Sequence, residues 1–216
     1  MLLLETFPVG QLECNCTVIG CPDTKEAIVV DPGGDAERVQ QVLDHYDLSV
    51  RWIVHTHAHL DHIAGTRDVK EHASESGQAT IALHRDDTYL YDAFEQQARM
   101  FRWQVRPVLP VEHWLEHGES LAFGKLAAKV LHTPGHTPGS CCFHLEVDNR
   151  SLLLSGDTLF NRSIGRTDLP GGDTPTLMKS IREQLYTLDG DTVVIPGHGP
   201  VTKVGDEARA NPFVRA

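Results

Sequence analysis

The segment Thr56-His57-Ala58-His59-Leu60-Asp61-His62 puts three imidazoles and one carboxylate within a few residues of one another. Imidazole and carboxylate are the donors that a borderline-soft divalent ion such as zinc takes when thiolates are absent. No packing requirement calls for such a cluster, and burying it without a metal or hydrogen-bonding partners is costly. Three other segments share one grammar with it, an apolar run, a tight turn and then a metal-competent residue. Leu131 leads through Thr133-Pro134-Gly135 to His136, Leu154 through Ser155-Gly156 to Asp157, and Ile195 through Pro196-Gly197 to His198. The candidate ligands are therefore His57, His59, Asp61, His62, His136, Asp157 and His198. One catalytic zinc needs about three protein ligands and an open position. This set is too large for one such ion and suits two, provided one carboxylate bridges. In an extended stretch His57, His59 and Asp61 point the same way. A helix starting at Asp61 would instead give Asp61 and His62 to a second ion.

The elements that must position these residues follow an α/β pattern. Short apolar or alternating runs predict strands at 17–19, 27–30, 52–54, 80–83, 127–131, 141–147, 152–154 and 192–195. In the 141–147 run Phe143, Leu145 and Val147 share one face and His144 and Glu146 the other. A helix is expected after Asp35 as its cap, with Val39, Val42, Leu43 and Tyr46 inward. A second follows Asp61, runs past Val69 and ends near Gly77. A third covers 86–103, and a fourth opens with Thr174 as cap and Pro175 at the first helical position, with Leu177, Ile181 and Leu185 inward. Strands and helices do not alternate strictly, so two sheets with helices outside fit better than a doubly wound sheet. Turns rich in Gly and Pro let backbone approach a ligand, and ligand sites in α/β proteins lie beyond the carboxyl ends of strands.

The 216 residues are expected to form one domain, 1–216, with an ordinary composition of 40% hydrophobic and 23% charged residues. A net charge of −11 disfavours nucleic acid and anionic membranes as partners. The start, Met1-Leu2-Leu3-Leu4-Glu5, lacks the basic region of a secretory signal, and no run reaches the length of a membrane span. Cys14, Cys16, Cys21, Cys141 and Cys142 show no staple-like pattern and read as free thiols of a reducing cytoplasm. Oligomeric state is not legible.

The cluster Thr56–His62, together with Thr133-Pro134-Gly135-His136-Thr137-Pro138-Gly139, Ser155-Gly156-Asp157 and Gly197-His198-Gly199, resembles the metallo-β-lactamase superfamily. The likeness extends from Val29-Val30-Asp31-Pro32-Gly33-Gly34 to Pro200. The segment Gly165-Arg166-Thr167-Asp168-Leu169-Pro170-Gly171-Gly172-Asp173 makes it most similar to the short, single-domain glyoxalase II type. The resemblance implies an αββα sandwich with the site at one edge of two mixed sheets. It implies His57, His59 and His136 on the first metal, Asp61, His62 and His198 on the second, and Asp157 bridging both, with Asp31 in a supporting position. Asp61 and Asp157 are then the catalytic carboxylates. Two divalent ions are implied, zinc by default, with iron and manganese also fitting the donors.

The implied activity is hydrolysis of a small-molecule thioester, S-D-lactoylglutathione or another S-2-hydroxyacylglutathione, by a metal-bound hydroxide, as in methylglyoxal detoxification. Only 18 residues follow His198, whereas the long form of that family holds glutathione with a C-terminal helical domain. Arg162 and Arg166 are the candidate contacts to glutathione carboxylates. Persulfide dioxygenases share the fold and a Gly-Arg-Thr-Asp segment but use one iron held by two His and one Asp. The Gly-His-Gly-Pro surroundings of His198 favour the hydrolase over the Ala-His-Asp-Tyr of the dioxygenases. Lactonase and β-lactamase chemistry on the same scaffold are further alternatives. His55 is expected to pack rather than to bind.

Overall fold

The computed structural model describes residues 2–73 and 79–216. Its first sheet is ordered β1 (Leu3–Val9), β2 (Cys14–Gly20), β3 (Glu26–Val30), β4 (Ser49–Val54), β5 (Thr80–His84) and β6 (His113–Leu115). Strands β1 to β3 pair antiparallel and β3 to β6 parallel. The second sheet contains β7 (Ser120–Phe123), β8 (Leu126–His132), β9 (Cys141–Val147) and β10 (Arg150–Gly156). A two-stranded hairpin, β11 (Leu159–Phe160) and β12 (Ser163–Ile164), follows β10. The second sheet is completed by β13 (Val193–Pro196), parallel to β10, and β14 (Thr202–Lys203). Because β8, β10 and β13 run the same way, their carboxyl ends share one edge.

Strand alternation builds four layers. Ile28, Val30 and Val54 of the first sheet meet Val130, Phe143, Leu145, Leu152 and Leu154 of the second. The intervening residues face outward. Val29, Ile53 and Ile81 pack under Val39 and Leu43 of α1 (Ala36–Tyr46). Val69 of the helix beyond β4 joins the same layer. On the opposite side Leu131, Cys142, Leu153 and Val194 pack against Leu177, Ile181 and Leu185. Each fully buried Leu or Ile in these layers is worth about 1.5–3 kcal/mol of apolar transfer. This is the expected αββα sandwich, and the expected inward face of β9 is the one observed.

Three expectations about helices change. After β4 the chain forms α2 (Leu60–Ile63) and α3 (Thr66–Ala73) instead of one helix. The break falls at Gly65, whose N–H leaves the helical ladder and donates to Pro32 O at 2.8 Å. The expected end near Gly77 lies outside the described residues. The 86–103 helix is divided into a 3₁₀ turn, Arg85–Asp87, then α4 (Thr88–Asp92) and α5 (Phe94–Phe101). Gln97 sustains that break by donating from Nε2 to Leu90 O at 2.9 Å. Finally, the cap of α6 (Thr174–Ser180) is Asp173, not Thr174. The Asp173 carboxylate accepts from Thr176 N, and Pro175 lies in the first turn. A π-helical turn, Ile181–Leu185, extends α6, and α7 (Val204–Ala210) follows β14. Asp35 makes no capping bond on α1. Its carboxylate accepts from Gly10 N instead.

Candidate metal centre

The seven predicted ligands reach one place, the edge where β3, β4, β8, β10 and β13 end, and the Arg166 backbone adjoins it. Two groups of donors form there. In the first, His136 Nε2 is 3.2 Å from His57 Nε2 and 3.0 Å from His59 Nδ1. Both distances are close to the edge, about 3.4 Å, of a tetrahedron with arms of about 2.1 Å. In the second, His198 Nε2 is 3.1 Å from Asp61 Oδ2, and His62 Nε2 is 3.8 Å from the same oxygen. Asp157 lies between the groups. Its Oδ2 is 3.6 Å from His136 Nε2, and its Oδ1 is 3.5 Å from His62 Nε2 and 3.8 Å from His198 Nε2. The rings of His57 and His62 are 4.0 Å apart, so the two groups adjoin. Because α2 begins at Leu60, Asp61 and His62 turn away from the extended run and join the second group, while His59 stays with the first.

Outer hydrogen bonds fix which nitrogen of each ring is free. His136 Nδ1 donates to Arg166 O at 2.7 Å, leaving Nε2 with its lone pair. The Thr56 hydroxyl donates to Asp31 Oδ2 at 2.6 Å and therefore accepts from His57 Nδ1 at 3.1 Å. His62 Nδ1 donates to the same Asp31 oxygen at 2.9 Å. Asp31 Oδ1 accepts from Thr56 N at 2.8 Å. Such outer partners orient metal-binding imidazoles and raise their basicity. Burial, reinforced by the surrounding imidazoles, holds His57 well below the usual imidazole range and brings His59 down to about 3. Burial alone would raise Asp61. His62 and the hydrogen-bonded His198 outweigh it, and Asp61 is held below the ordinary carboxylate range.

The residues present fit a metal. Buried His62 Nε2 and Asp157 Oδ1 have no hydrogen-bond partner among the described residues, and both point into the second group. Lone pairs facing one another at 3.0–3.2 Å in the first group need a cation or proton between them. These are metal-binding His/Asp clusters suited to divalent ions. Cys14 Sγ also stands 3.5 Å from His62 Nδ1. Burial pushes this thiol up to about 12, so it is uncharged at neutral pH. All five cysteines are buried and free, as expected.

Arg166 contributes its backbone carbonyl to His136, while its exposed guanidinium is held by both oxygens of Asp168 at 2.8 Å. Arg162 has a positive φ of 58° and is exposed, and its guanidinium has no ion-pair partner among the described residues. His55 is buried, and its Nε2 donates to Thr66 Oγ1 at 3.3 Å, a packing role as expected. Two residues carried no signal in the sequence. Asp87 and Gln97 lie in polar helical turns and bond the backbone of the His57–Asp61 stretch.

A family model described as the Metallo-beta-lactamase superfamily matches residues 9–198. The hydroxyacylglutathione hydrolase GloC of Haemophilus influenzae is 37% identical, covering 99% of this chain and 98% of its own. A crystal structure of the BLEG-1 B3 metallo-beta-lactamase superposes with a TM-score of 0.88 at 36% identity, covering 99% of this chain and 100% of that one. TTHA1623, solved in a di-iron-bound form, gives a TM-score of 0.82 at 34% identity, over 97% and 100% of the two chains. The human mitochondrial persulfide dioxygenase ETHE1 is 31% identical over 98% of this chain and 75% of its own.

Proposed function

This chain belongs to the metallo-beta-lactamase superfamily, and from that premise we propose that it is a two-metal thioester hydrolase acting on S-2-hydroxyacylglutathione, S-D-lactoylglutathione in the first instance. The observation that carries the reading is the pair of donor groups joined through Asp157, with the partnerless His62 Nε2 and Asp157 Oδ1 at their junction. His57, His59 and His136 would hold one divalent ion, Asp61, His62 and His198 the other, and Asp157 both. Zinc is the default and iron fits the same donors. When bound, the ions supply Lewis acidity, which acidifies water and polarises an acyl carbonyl.

The chain's own residues do the rest. Asp61, held ionised, would orient the attacking water by accepting a hydrogen bond from it, while Asp157 would hold the ions. The Arg166 carbonyl, Thr56 and Asp31 keep three rings in the tautomer that aims a lone pair inward. No Ser or Cys nucleophile is needed. Ser140 is bonded to Thr137, and burial pushes the Cys141 thiol well up. A thiolate leaving group departs without protonation, so the site requires no separate general acid. His198, 29% exposed, marks the open side, with the ring of half-buried Phe160 at 6.5 Å. The substrate is a small molecule. Arg162, with no ion-pair partner among the described residues, and Arg166, beside His136 but paired with Asp168, are the candidate contacts for a glutathione carboxylate.

The likeness to ETHE1 favours one second reading, a mononuclear-iron persulfide dioxygenase. Elemental analysis and two assays separate them. The proposed function requires about two ions per chain and turnover of S-D-lactoylglutathione. One iron per chain with oxygen consumption on glutathione persulfide would replace it with the dioxygenase.

A further inference from the structure

Asp87 is fully buried at the junction of two loops that carry ligands. Its Oδ2 accepts from Ala58 N at 3.0 Å and from Thr137 Oγ1 at 2.8 Å, and its Oδ1 accepts from Gly139 N at 2.7 Å. Ala58 lies between His57 and His59, and Thr137 directly follows His136. One carboxylate therefore grips both sides of the three-imidazole group without touching any of its nitrogens. The fit is close on the His136 side, where a Cβ on Gly139 would stand 2.7 Å from the Asp87 carboxyl carbon. Gln97 grips the His57 side again, accepting from Leu60 N at 3.0 Å and donating to Ala58 O at 3.1 Å. Ala58 N, Ala58 O and Leu60 N of the His57–Asp61 stretch thus bond to side chains of the 85–101 segment. Metal–ligand distances tolerate errors of only about 0.2 Å, so a three-ligand site drawn from two separate loops needs their spacing fixed.

We propose that Asp87 is a positioning residue that sets the separation of the His57/His59 loop from the His136 loop and thereby the affinity of that group for its metal ion. The inference rests on the metal-centre reading above, and it is independent of which substrate is turned over. Asp87 makes no contact with the second group. An Asn at this position keeps the shape but offers one acceptor oxygen to three donors.

The test is Zn²⁺ affinity by chelator competition, with Asp87→Asn placed in two backgrounds. His198→Ala leaves the three-imidazole group to be read alone, and His136→Ala leaves the second group. Asp87→Asn is expected to weaken zinc by about 10–100-fold in the first background and to leave the second unchanged. Equal weakening in both would show a general structural role and overturn the proposal, as would no effect in the first. Should Asp87→Asn fail to fold, Thr137→Val, which removes one of the three bonds, is read in the same backgrounds and is expected to give the same selectivity at smaller size. A parent chain that takes up no zinc would remove the metal-centre reading and this proposal together. A fully loaded parent with indistinguishable variants would remove this proposal alone.

Discussion

Asp157 is the residue on which both donor groups depend, because its two oxygens face different imidazoles. Asp157→Ala is expected to lose both ions and nearly all turnover, whereas His198→Ala is expected to empty mainly the second position. Elemental analysis of the two purified variants checks this, and full metal in Asp157→Ala would contradict the bridge. The groups also differ in how they respond to acid. His57 and His59 are held neutral by burial and their imidazole neighbours. Burial also opposes protonation of His62, but the carboxylates of Asp31, Asp157 and Asp61 offset it and raise its pKa. His198 is raised as well, its burial outweighed by the bond to Asp61 and by Asp157. An ion entering the second group must displace protons, so binding there weakens as pH falls, while His57 and His59 offer bare lone pairs down to lower pH. Dialysis at about pH 6, where ordinary imidazoles begin to charge, is expected to leave about one ion per chain where neutral pH leaves two. Equal loss from both groups would contradict the assignment.

At the scale of elements, the turn after β3 is pressed against α2. A Cβ on Gly33 would stand 1.5 Å from the backbone oxygen of Asp61. Gly33→Ala must therefore displace one of the two, and we expect a loss of at least about 1–3 kcal/mol in urea unfolding, with weaker metal binding at the second group. Unchanged stability would mean that the contact relaxes freely. The same stretch shows what a sequence can and cannot disclose. The candidate ligands were legible because imidazoles and carboxylates clustered just after apolar strands serve few purposes besides holding a metal. The central strands were legible because they are buried on both faces and read as continuous apolar runs. Strands β1 and β7 were not, because each is only half-buried and carries exposed residues along its length. The division of the 86–103 helix was not, because Gln97 sustains it through side-chain bonds that no local pattern encodes. Asp87 was illegible for a related reason. An acid in a polar turn looks solvated until its three donors are seen.

With metal bound, the whole molecule would bring an acidic chain around a cationic centre. Two divalent ions would bring the net charge from −11 to −7, and their charge would be concentrated at one edge of the sandwich, which suits an anionic substrate. Metal should also hold that edge together, since it would satisfy His62 Nε2 and Asp157 Oδ1, both otherwise partnerless. At metal concentrations about 100 times the dissociation constant, and for a chain of this size, stripping with a chelator should lower the melting temperature by about 5–10 °C for each ion removed. An unchanged melting temperature would mean that the sandwich holds its ligand loops in place unaided. Among the described residues no helix is long and apolar enough to cross a membrane.

Asp31 anchors an imidazole on each side, His62 directly and His57 through the Thr56 hydroxyl. Neutralising this one acid would let both rings swing and swap tautomers at once. The two halves of the centre are thus wired to a common hinge pin behind them, and damage there should register as simultaneous slackening, never as the orderly departure of one ion before the other.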